Sequence, residues 1–347
     1  MRENPVRLGA RWVLGHSRWV TLWQPGLEEL AEELAPKPAP AWVSRYHFRG
    51  EVELTLRYLL VLDALNFCFW PPRGFPSTPL PLPSGERDGI EKPPLPCGER
   101  DGVRGTTSEK WSVPGPEGER LTGYYALSYA LRRAAEDTPE FFEAERLAKV
   151  TADELRAVLG DIPLLPWRVA AAREVGSLLL RFGSAERFFS QARGSAQTLV
   201  ELLTSHLPMF RDAAIYNGRW IPFYKRAQIL VADVWGTFGG EGPGKFADLP
   251  WLTAFADYKL PQILWDQGAM RLHPALAERI QRGELIRWGS TEEVELRAAT
   301  VVAVEELVFL LRKRGRDLVS FQVDWLLWNA AQGGLAVPHH RTLTWAY

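Results

Sequence analysis

Four aspartates lie inside otherwise apolar runs of the sequence: they are Asp63, Asp233, Asp257 and Asp324. A carboxylate in such surroundings must be paired, hydrogen-bonded or functional, because burying an isolated charge costs too much free energy. The ordinary explanation for any one of them is an ion pair with an arginine or lysine of another helix. The alternative is a carboxylate kept in a water-poor pocket for catalysis. Spacing alone does not choose between the two.

Two further segments could bind a ligand. The run Phe67-Cys68-Phe69-Trp70 places three rings at the end of an apolar helix, where a planar molecule could stack or where the rings are simply core. The run 222–228 is expected to open a helix with Pro222 near its first turn. That start would place Lys225 and Arg226 beside free backbone amides, an arrangement that suits a phosphate. A solvated basic turn is the alternative.

The sequence favours no metal site and no cofactor. His339 and His340 are adjacent, so they do not project to one side of a regular element, and no spaced acidic or thiol ligand accompanies them. A phosphate-binding P-loop, a dinucleotide fingerprint and a nucleophile elbow are all missing from the sequence.

Helices must position these residues, because apolar side chains recur three or four residues apart through most of the chain. We predict an all-α protein that forms a single domain over residues 1–347, with only residues 11–22 suggesting a short extended piece. The clearest predicted helices span 51–66, 123–135, 167–182, 196–206, 223–235 and 291–314. Capping boxes are predicted at Thr151 with Glu154 and at Ser290 with Glu293, and helix ends at Gly183, Gly283 and Gly315.

Residues 71–109 break the helical pattern. They are rich in proline, glycine and charge, and contain a near-repeat, PLPSGERDG at 81–89 and PLPCGERDG at 94–102. Such a segment cannot bury enough apolar surface to offset its ordering entropy, so we predict a flexible insertion within the domain.

Composition limits the classes of partner. The net charge of -1 provides no general attraction for nucleic acid or an acidic membrane, so any anionic ligand must be bound locally. Two cysteines cannot form a disulfide framework, and no leader or long apolar run is evident. We expect a cytoplasmic monomer that binds neither nucleic acid nor membrane.

Taken together, four motifs in this order resemble the queuosine salvage protein family, whose members are queuosine 5′-phosphate N-glycosylases. The motifs are Asp63-Ala64-Leu65-Asn66-Phe67-Cys68-Phe69-Trp70, Tyr224-Lys225-Arg226-Ala227-Gln228-Ile229, Phe255-Ala256-Asp257-Tyr258-Lys259-Leu260-Pro261-Gln262 and Pro338-His339-His340-Arg341-Thr342. The helical pattern between them also fits over nearly the whole chain. The proline- and glycine-rich insertion departs from the family, which has a shorter connection there.

The resemblance implies a fold similar to the helix-hairpin-helix DNA glycosylases, with residues 175–196 as a candidate hairpin. It implies that Asp257 is the essential carboxylate and that Asp324 recognises the base. The other base-binding residues that it implies are His47, Phe69, Trp70, Phe255, Tyr258 and Trp328. The implied phosphate-binding residues are Lys225, Arg226 and Arg341.

The implied reaction hydrolyses the N-glycosidic bond of queuosine 5′-monophosphate and releases the free base queuine for salvage into tRNA modification. Queuine is a 7-deazaguanine, which lacks the nitrogen that ordinary purine hydrolases protonate, so catalysis must stabilise a cationic ribose. Asp257 could do this electrostatically or attack the sugar directly. The alternatives are a nucleic-acid base glycosylase, which would need a basic face, and a non-catalytic helical binding scaffold, which a helical repeat would support.

Overall fold

The structure is a computed structural model that describes residues 3–71 and 110–347. These residues are mostly helical, which confirms the all-α prediction. The α-helices are α1 Pro5–Leu14, α2 Gln24–Leu34, α3 Val52–Leu65, α4 Gly123–Asp137, α5 Ala144–Leu147, α6 Ala152–Leu159, α7 Leu165–Phe182, α8 Ala185–Ser190, α9 Ala196–His206, α10 Lys225–Phe238, α11 Lys259–Asp266, α12 Pro274–Gln281, α13 Thr291–Lys313 and α14 Ser320–Ala330. The short strands are β1 Val20–Leu22, β2 Ser112–Pro114, β3 Arg120–Thr122, β4 Ala213–Tyr216, β5 Arg219–Pro222 and β6 Met270–Leu272.

The described residues form two compact units. The first comprises the described residues within Met1–Trp42, Phe189–Thr204 and Phe210–Tyr347, and the second comprises those within Val43–Phe188 and Ser205–Met209. The expectation of a single domain over 1–347 stays a prediction.

The first unit is built around α13. Helix α1, which is distant from α13 in the sequence, packs against it. Helices α2, α11 and α14 also contact α13. Buried leucine, valine and alanine side chains of these helices form the main apolar core, in which Leu307, Val304 and Ala303 of α13 are fully buried. Strand β1 pairs with β6 in antiparallel register, with Val20 opposite Leu272. These contacts join the beginning of the chain to its last third.

A β-hairpin in the first unit leads into α10. Strands β4 and β5 pair antiparallel, with Ala213 opposite Pro222. Asn217 and Gly218 form the turn with φ of 47° and 77°, the backbone that two-residue hairpin turns require. The hairpin therefore fixes the direction in which the backbone approaches Lys225.

The second unit packs α3 and α5 against α7, and α3 and α6 against α4. Gly176 of α7 lies directly against the backbone at the end of α5, where a Cβ would overlap the amide nitrogen of Ala148. Only a glycine fits this approach. Strands β2 and β3 form the hairpin in this unit, with Val113 opposite Leu121.

The predicted helices are confirmed, with ends shifted by a few residues. The capping box at Thr151 and Glu154 is complete. At Ser290 only half of it forms: the hydroxyl accepts from the Glu293 amide, but the Glu293 carboxylate accepts from Gly289 instead. Gly183, Gly283 and Gly315 all have positive φ next to helix ends, as predicted.

Two local predictions need correction. Pro222 ends β5 rather than opening a helix, because Tyr224 has a left-handed backbone (φ 51°) and α10 begins only at Lys225. Of residues 11–22, only Val20–Leu22 is extended, while the first part belongs to α1. The predicted insertion lies almost entirely outside the described residues.

None of the described helices combines the length and apolar character that a membrane span requires.

Candidate active site

Asp257 lies at the entrance to α11 and is 8% exposed. Its Oδ1 accepts the backbone N–H groups of Lys259 at 2.7 Å and Leu260 at 3.0 Å. These are two of the amides that a helix start leaves without an internal partner, and the next residue, Pro261, has no N–H to offer. Both hydrogen bonds from described residues therefore end on one carboxylate oxygen, and Oδ2 accepts none of them.

The charge of Asp257 is set by opposing effects. Burial raises the pKa of its carboxyl above the ordinary value, whereas the Lys225 cation and the two backbone hydrogen bonds lower it. Among the described residues, no lysine or arginine forms an ion pair with Asp257 or Asp324. The ion-pair explanation is therefore wrong for both of these aspartates.

Asp324 is the second carboxyl of this region. It projects from α14, is 3% exposed, and its Oδ2 accepts the backbone N–H of Phe255 at 2.7 Å. Burial raises the pKa of Asp324 well above its ordinary value, the charge of Asp257 raises it further, and Lys225 lowers it. Two buried carboxyls and one buried lysine of the first unit thus form a single electrostatic cluster.

Lys225 is the first residue of α10 and is only 4% exposed. Its backbone N–H donates to Oδ2 of Asp212 at 3.1 Å. The carbonyl of Asp212 accepts the N–H groups of Phe223 and Tyr224, at 2.9 and 3.0 Å. Asp212 therefore fixes the start of α10, and with it the position from which the Lys225 side chain extends.

Arg297 is hydrogen-bonded to two residues that adjoin this cluster, Asp212 and Ala256. It lies on α13, fully buried, and its Nη1 and Nη2 donate to the two carboxylate oxygens of Asp212 at 2.9 and 2.5 Å. Its Nε donates to the carbonyl of Ala256 at 2.9 Å. One guanidinium thus binds both Asp212 and the residue that immediately precedes Asp257.

Comparison with known proteins identifies the family. The sequence model of a family described as queuosine salvage protein matches residues 46–347. The chain belongs to the queuosine salvage protein family. Among its relatives, a protein of Sphaerobacter thermophilus is 39% identical and covers 100% of both chains. One from Dictyostelium discoideum is 33% identical over 99% of this chain and 98% of its own length. One from Mus musculus is 33% identical over 97% of this chain and 96% of its own. All three are named queuosine 5′-phosphate N-glycosylase/hydrolase.

In the first unit the structure shows the contacts of several predicted site residues and joins two of the queuosine salvage family motifs. Phe255 is buried and gives its N–H to Asp324. The ring of Tyr258 lies 4.7 Å from that of His339, so the third and fourth motifs meet there. Trp328 is partly buried against the main core. Arg226 is fully buried, with its guanidinium 5.1 Å from the Phe210 ring and 5.9 Å from the Trp345 ring.

Arg341 lies differently from Lys225 and Arg226. It is exposed, forms an isolated β-bridge with Leu285, and its guanidinium lies beside Gly283. Its assignment to phosphate binding stays a prediction.

The predicted base-binding residues His47, Phe69 and Trp70 belong to the second unit. The Nδ1 of His47 lies 3.3 Å from the hydroxyl of Tyr58, and burial, with a smaller effect of Arg132, lowers its pKa to about 3. The ring of Phe69 stacks on Trp111 at 6.0 Å. Cys68 between these motif residues has a positive φ of 41°. The part of these residues in a base pocket stays a prediction.

Sequence reasoning missed Asp212 and Arg297. Arg297 comes directly before the mostly apolar run 298–304, but Glu293 and Glu295 lie just before it, so its sequence context is that of an ordinary charged helix residue. Asp212 stands in a loop between an apolar 3-10 turn and β4, and nothing in its sequence neighbours marks it. The other two aspartates accept hydrogen bonds from nearby side chains: Asn66 to Asp63 at 3.4 Å, and Trp42 to Asp233 at 3.2 Å.

Proposed function

We propose that this protein hydrolyses the N-glycosidic bond of queuosine 5′-phosphate and releases queuine for salvage into tRNA modification. Membership of the queuosine salvage family and the names of the relatives support the reaction. The structural observation that supports it most directly is Asp257, a buried carboxylate without an ion-pair partner among described residues, anchored by helix amides on one oxygen.

The chemistry needs a fixed negative charge under the sugar. As the bond between C1′ and the glycosidic nitrogen breaks, its electron pair leaves with the base and the ribose becomes positively charged. Water then supplies hydroxide to C1′ and a proton to the base. A carboxylate in a water-poor site stabilises the cation more strongly than one in water. Oδ2 of Asp257, the oxygen that the helix amides leave available, is the atom that we place toward the sugar.

Asp257 must be ionised to act in this way, although burial opposes its charge. The Lys225 cation and the amides of Lys259 and Leu260 lower its pKa and so favour the carboxylate. Lys225 therefore has two roles in the proposal. It keeps Asp257 charged, and it binds the 5′-phosphate, with Arg226 and Arg341 as further cations for that group.

Asp324 is proposed to recognise the base. The guanine-like edge of queuine carries adjacent N–H donors, and a carboxylate can accept both. The N–H of Phe255 already binds Oδ2, and no described residue donates a hydrogen bond to Oδ1. Burial and the charge of Asp257 raise the pKa of Asp324, and hydrogen bonds from the base would lower it again. Binding of the base and ionisation of Asp324 are thus coupled.

We propose that Phe255, Tyr258 and Trp328 of the first unit contact the base, and that His47, Phe69 and Trp70 of the second unit are base-binding residues as well. A neutral His47 suits this task, because an imidazole with a pKa of about 3 adds no charge. We also propose a helix-hairpin-helix glycosylase type of fold. Its support is the turn at Gly183 between α7 and α8, where the rings of Phe182 and Phe188 meet at 5.1 Å.

We further propose that the protein is a cytoplasmic monomer and that it acts on a free nucleotide. Incubation with queuosine 5′-monophosphate, followed by chromatography, should yield free queuine and ribose 5-phosphate. Duplex DNA at low salt should not bind, since the net charge is -1. Intact nucleotide after prolonged incubation, together with tight DNA binding, would favour a nucleic-acid glycosylase instead.

A further inference from the structure

Two charged residues outside the family motifs connect the parts of the proposed site. Arg297 and Asp212 are fully buried and joined by two parallel hydrogen bonds. Through Asp212 the pair holds the backbone N–H of Lys225, and through Nε of Arg297 it holds the carbonyl of Ala256. The chain segments that carry Lys225 and Asp257 are therefore hydrogen-bonded to one ion pair.

We propose that Arg297 and Asp212 are positioning residues, which set the place of Lys225 relative to Asp257 and so align the phosphate-binding cation with the sugar-stabilising carboxylate. The inference rests on the proposed function. Neither residue of the pair is proposed to touch the substrate. Their effect passes through the backbone at the start of α10 and at Ala256.

The guanidinium of Arg297 has little freedom to turn. It lies 4.0 Å from the ring centre of Phe223 and 4.3 Å from that of Tyr347, and Glu293 approaches Nη1 at 3.6 Å. A planar cation held against rings in this way presents its donors in fixed directions. Rigid direction is the property that alignment of two separate segments requires.

Stability alone is a poor reason for such a pair. Taking two charges out of water is costly, and packed apolar residues of similar volume often stabilise a core as well or better. The N–H donors of a guanidinium, in contrast, can fix two backbone segments at once. Apolar packing lacks this directionality. Misplacement of a catalytic group by about 1 Å can lower turnover on the order of 100-fold, so precise alignment has a large effect.

The test is Arg297→Lys, which keeps the charge but cannot make two parallel hydrogen bonds to Asp212 and a third to Ala256. The matched control is Arg279→Lys, which alters another arginine of the first unit, paired with Glu292 at 2.8 Å. Each variant is assayed on queuosine 5′-phosphate well below its melting temperature. Measured are kcat, KM and the inhibition constant of queuine, which has no phosphate.

The positioning role predicts a split between these constants. In Arg297→Lys, kcat should fall and KM for the nucleotide should rise, each by about tenfold or more, while queuine inhibits within about twofold of the wild-type constant. A loss of folded protein alone would lower kcat and leave KM unchanged. Arg279→Lys should change no constant by more than about twofold. If Arg297→Lys does not fold, Asp212→Asn, which keeps the side-chain shape, is expected to give the same split.

The two hypotheses fail in different ways. A wild-type chain that releases no queuine contradicts the proposed function, and the positioning role falls with it. A wild type that turns over, with a folded Arg297→Lys or Asp212→Asn of normal KM, contradicts the positioning role alone.

Discussion

Asp324 accepts the backbone N–H of Phe255 at 2.7 Å, two residues before Asp257. The carbonyl of Ala256 is held by Arg297, and the side chain of Asp257 by the start of α11. Three consecutive residues are thus fixed by three different helices. The proposed base-recognising carboxyl and the proposed catalytic carboxylate are consequently parts of one rigid arrangement.

Replacing Asp257 by asparagine should remove catalysis and spare binding of the base. The amide side chain can still accept from the helix amides but carries no charge, so we expect kcat to fall on the order of 1,000-fold. The queuine dissociation constant should change by less than about threefold. Asp248→Asn is the control, because Asp248 is also buried and also accepts backbone amides, at the start of α9. Near-normal queuine release by the Asp257 variant would remove Asp257 from the mechanism.

Replacing Lys225 by methionine should change both affinity and pH dependence. Loss of a charge-assisted hydrogen bond to phosphate should raise KM for the nucleotide by about 10- to 100-fold. Because Lys225 lowers the pKa of Asp257, its removal raises that pKa, and the acid limb of the kcat profile should move to higher pH. Lys245→Met, which alters an exposed lysine, should leave KM and the acid limb unchanged. An unmoved acid limb would contradict the electrostatic role of Lys225.

Asp324→Asn should stabilise the protein near neutral pH while impairing recognition of the base. Burial raises the folded-state pKa of Asp324 well above 3.8, its value without the fold. Between those two values the folded chain holds a proton that the unfolded chain releases, so the free energy of unfolding falls as pH rises. The asparagine variant does not lose this unfolding free energy, and its side-chain oxygen can still accept the N–H of Phe255. Urea titrations at about pH 4 and about pH 7 should show a gain in unfolding free energy only at the higher pH.

Two buried histidines should make the protein sensitive to acid. Burial lowers the pKa of His47 and of His340 from 6.5 to about 3. As pH falls through this window, the unfolded chain binds protons that the folded imidazoles refuse, so the free energy of unfolding decreases. His47→Gln and His340→Gln should each flatten that dependence by up to about 1.4 kcal/mol per pH unit. Unfolding curves with the wild-type slope in both variants would contradict these pKa directions.

Much of the helical architecture could be predicted from the sequence, because apolar periodicity and capping residues are local signals. The start of α10 could not, since it depends on the left-handed backbone of Tyr224, which the hairpin before it and Asp212 impose. The two aspartates of the site were found because a carboxylate in an apolar run is conspicuous. The contact between Asp212 and Arg297 could not be predicted, because their pairing arises only when β4 and α13 pack together.

The discontinuity of the first unit has a consequence for its synthesis. Helix α1 (Pro5–Leu14) is translated long before its packing partner α13 (Thr291–Lys313). Until then the apolar stripe of α1, with Val6, Ala10 and Val13, has no completed core to join. The second unit, which is almost contiguous in the chain, can condense before that moment. A nascent chain that stalls before residue 291 would therefore expose the N-terminal helix to chaperones or to aggregation, while much of the polypeptide is already folded.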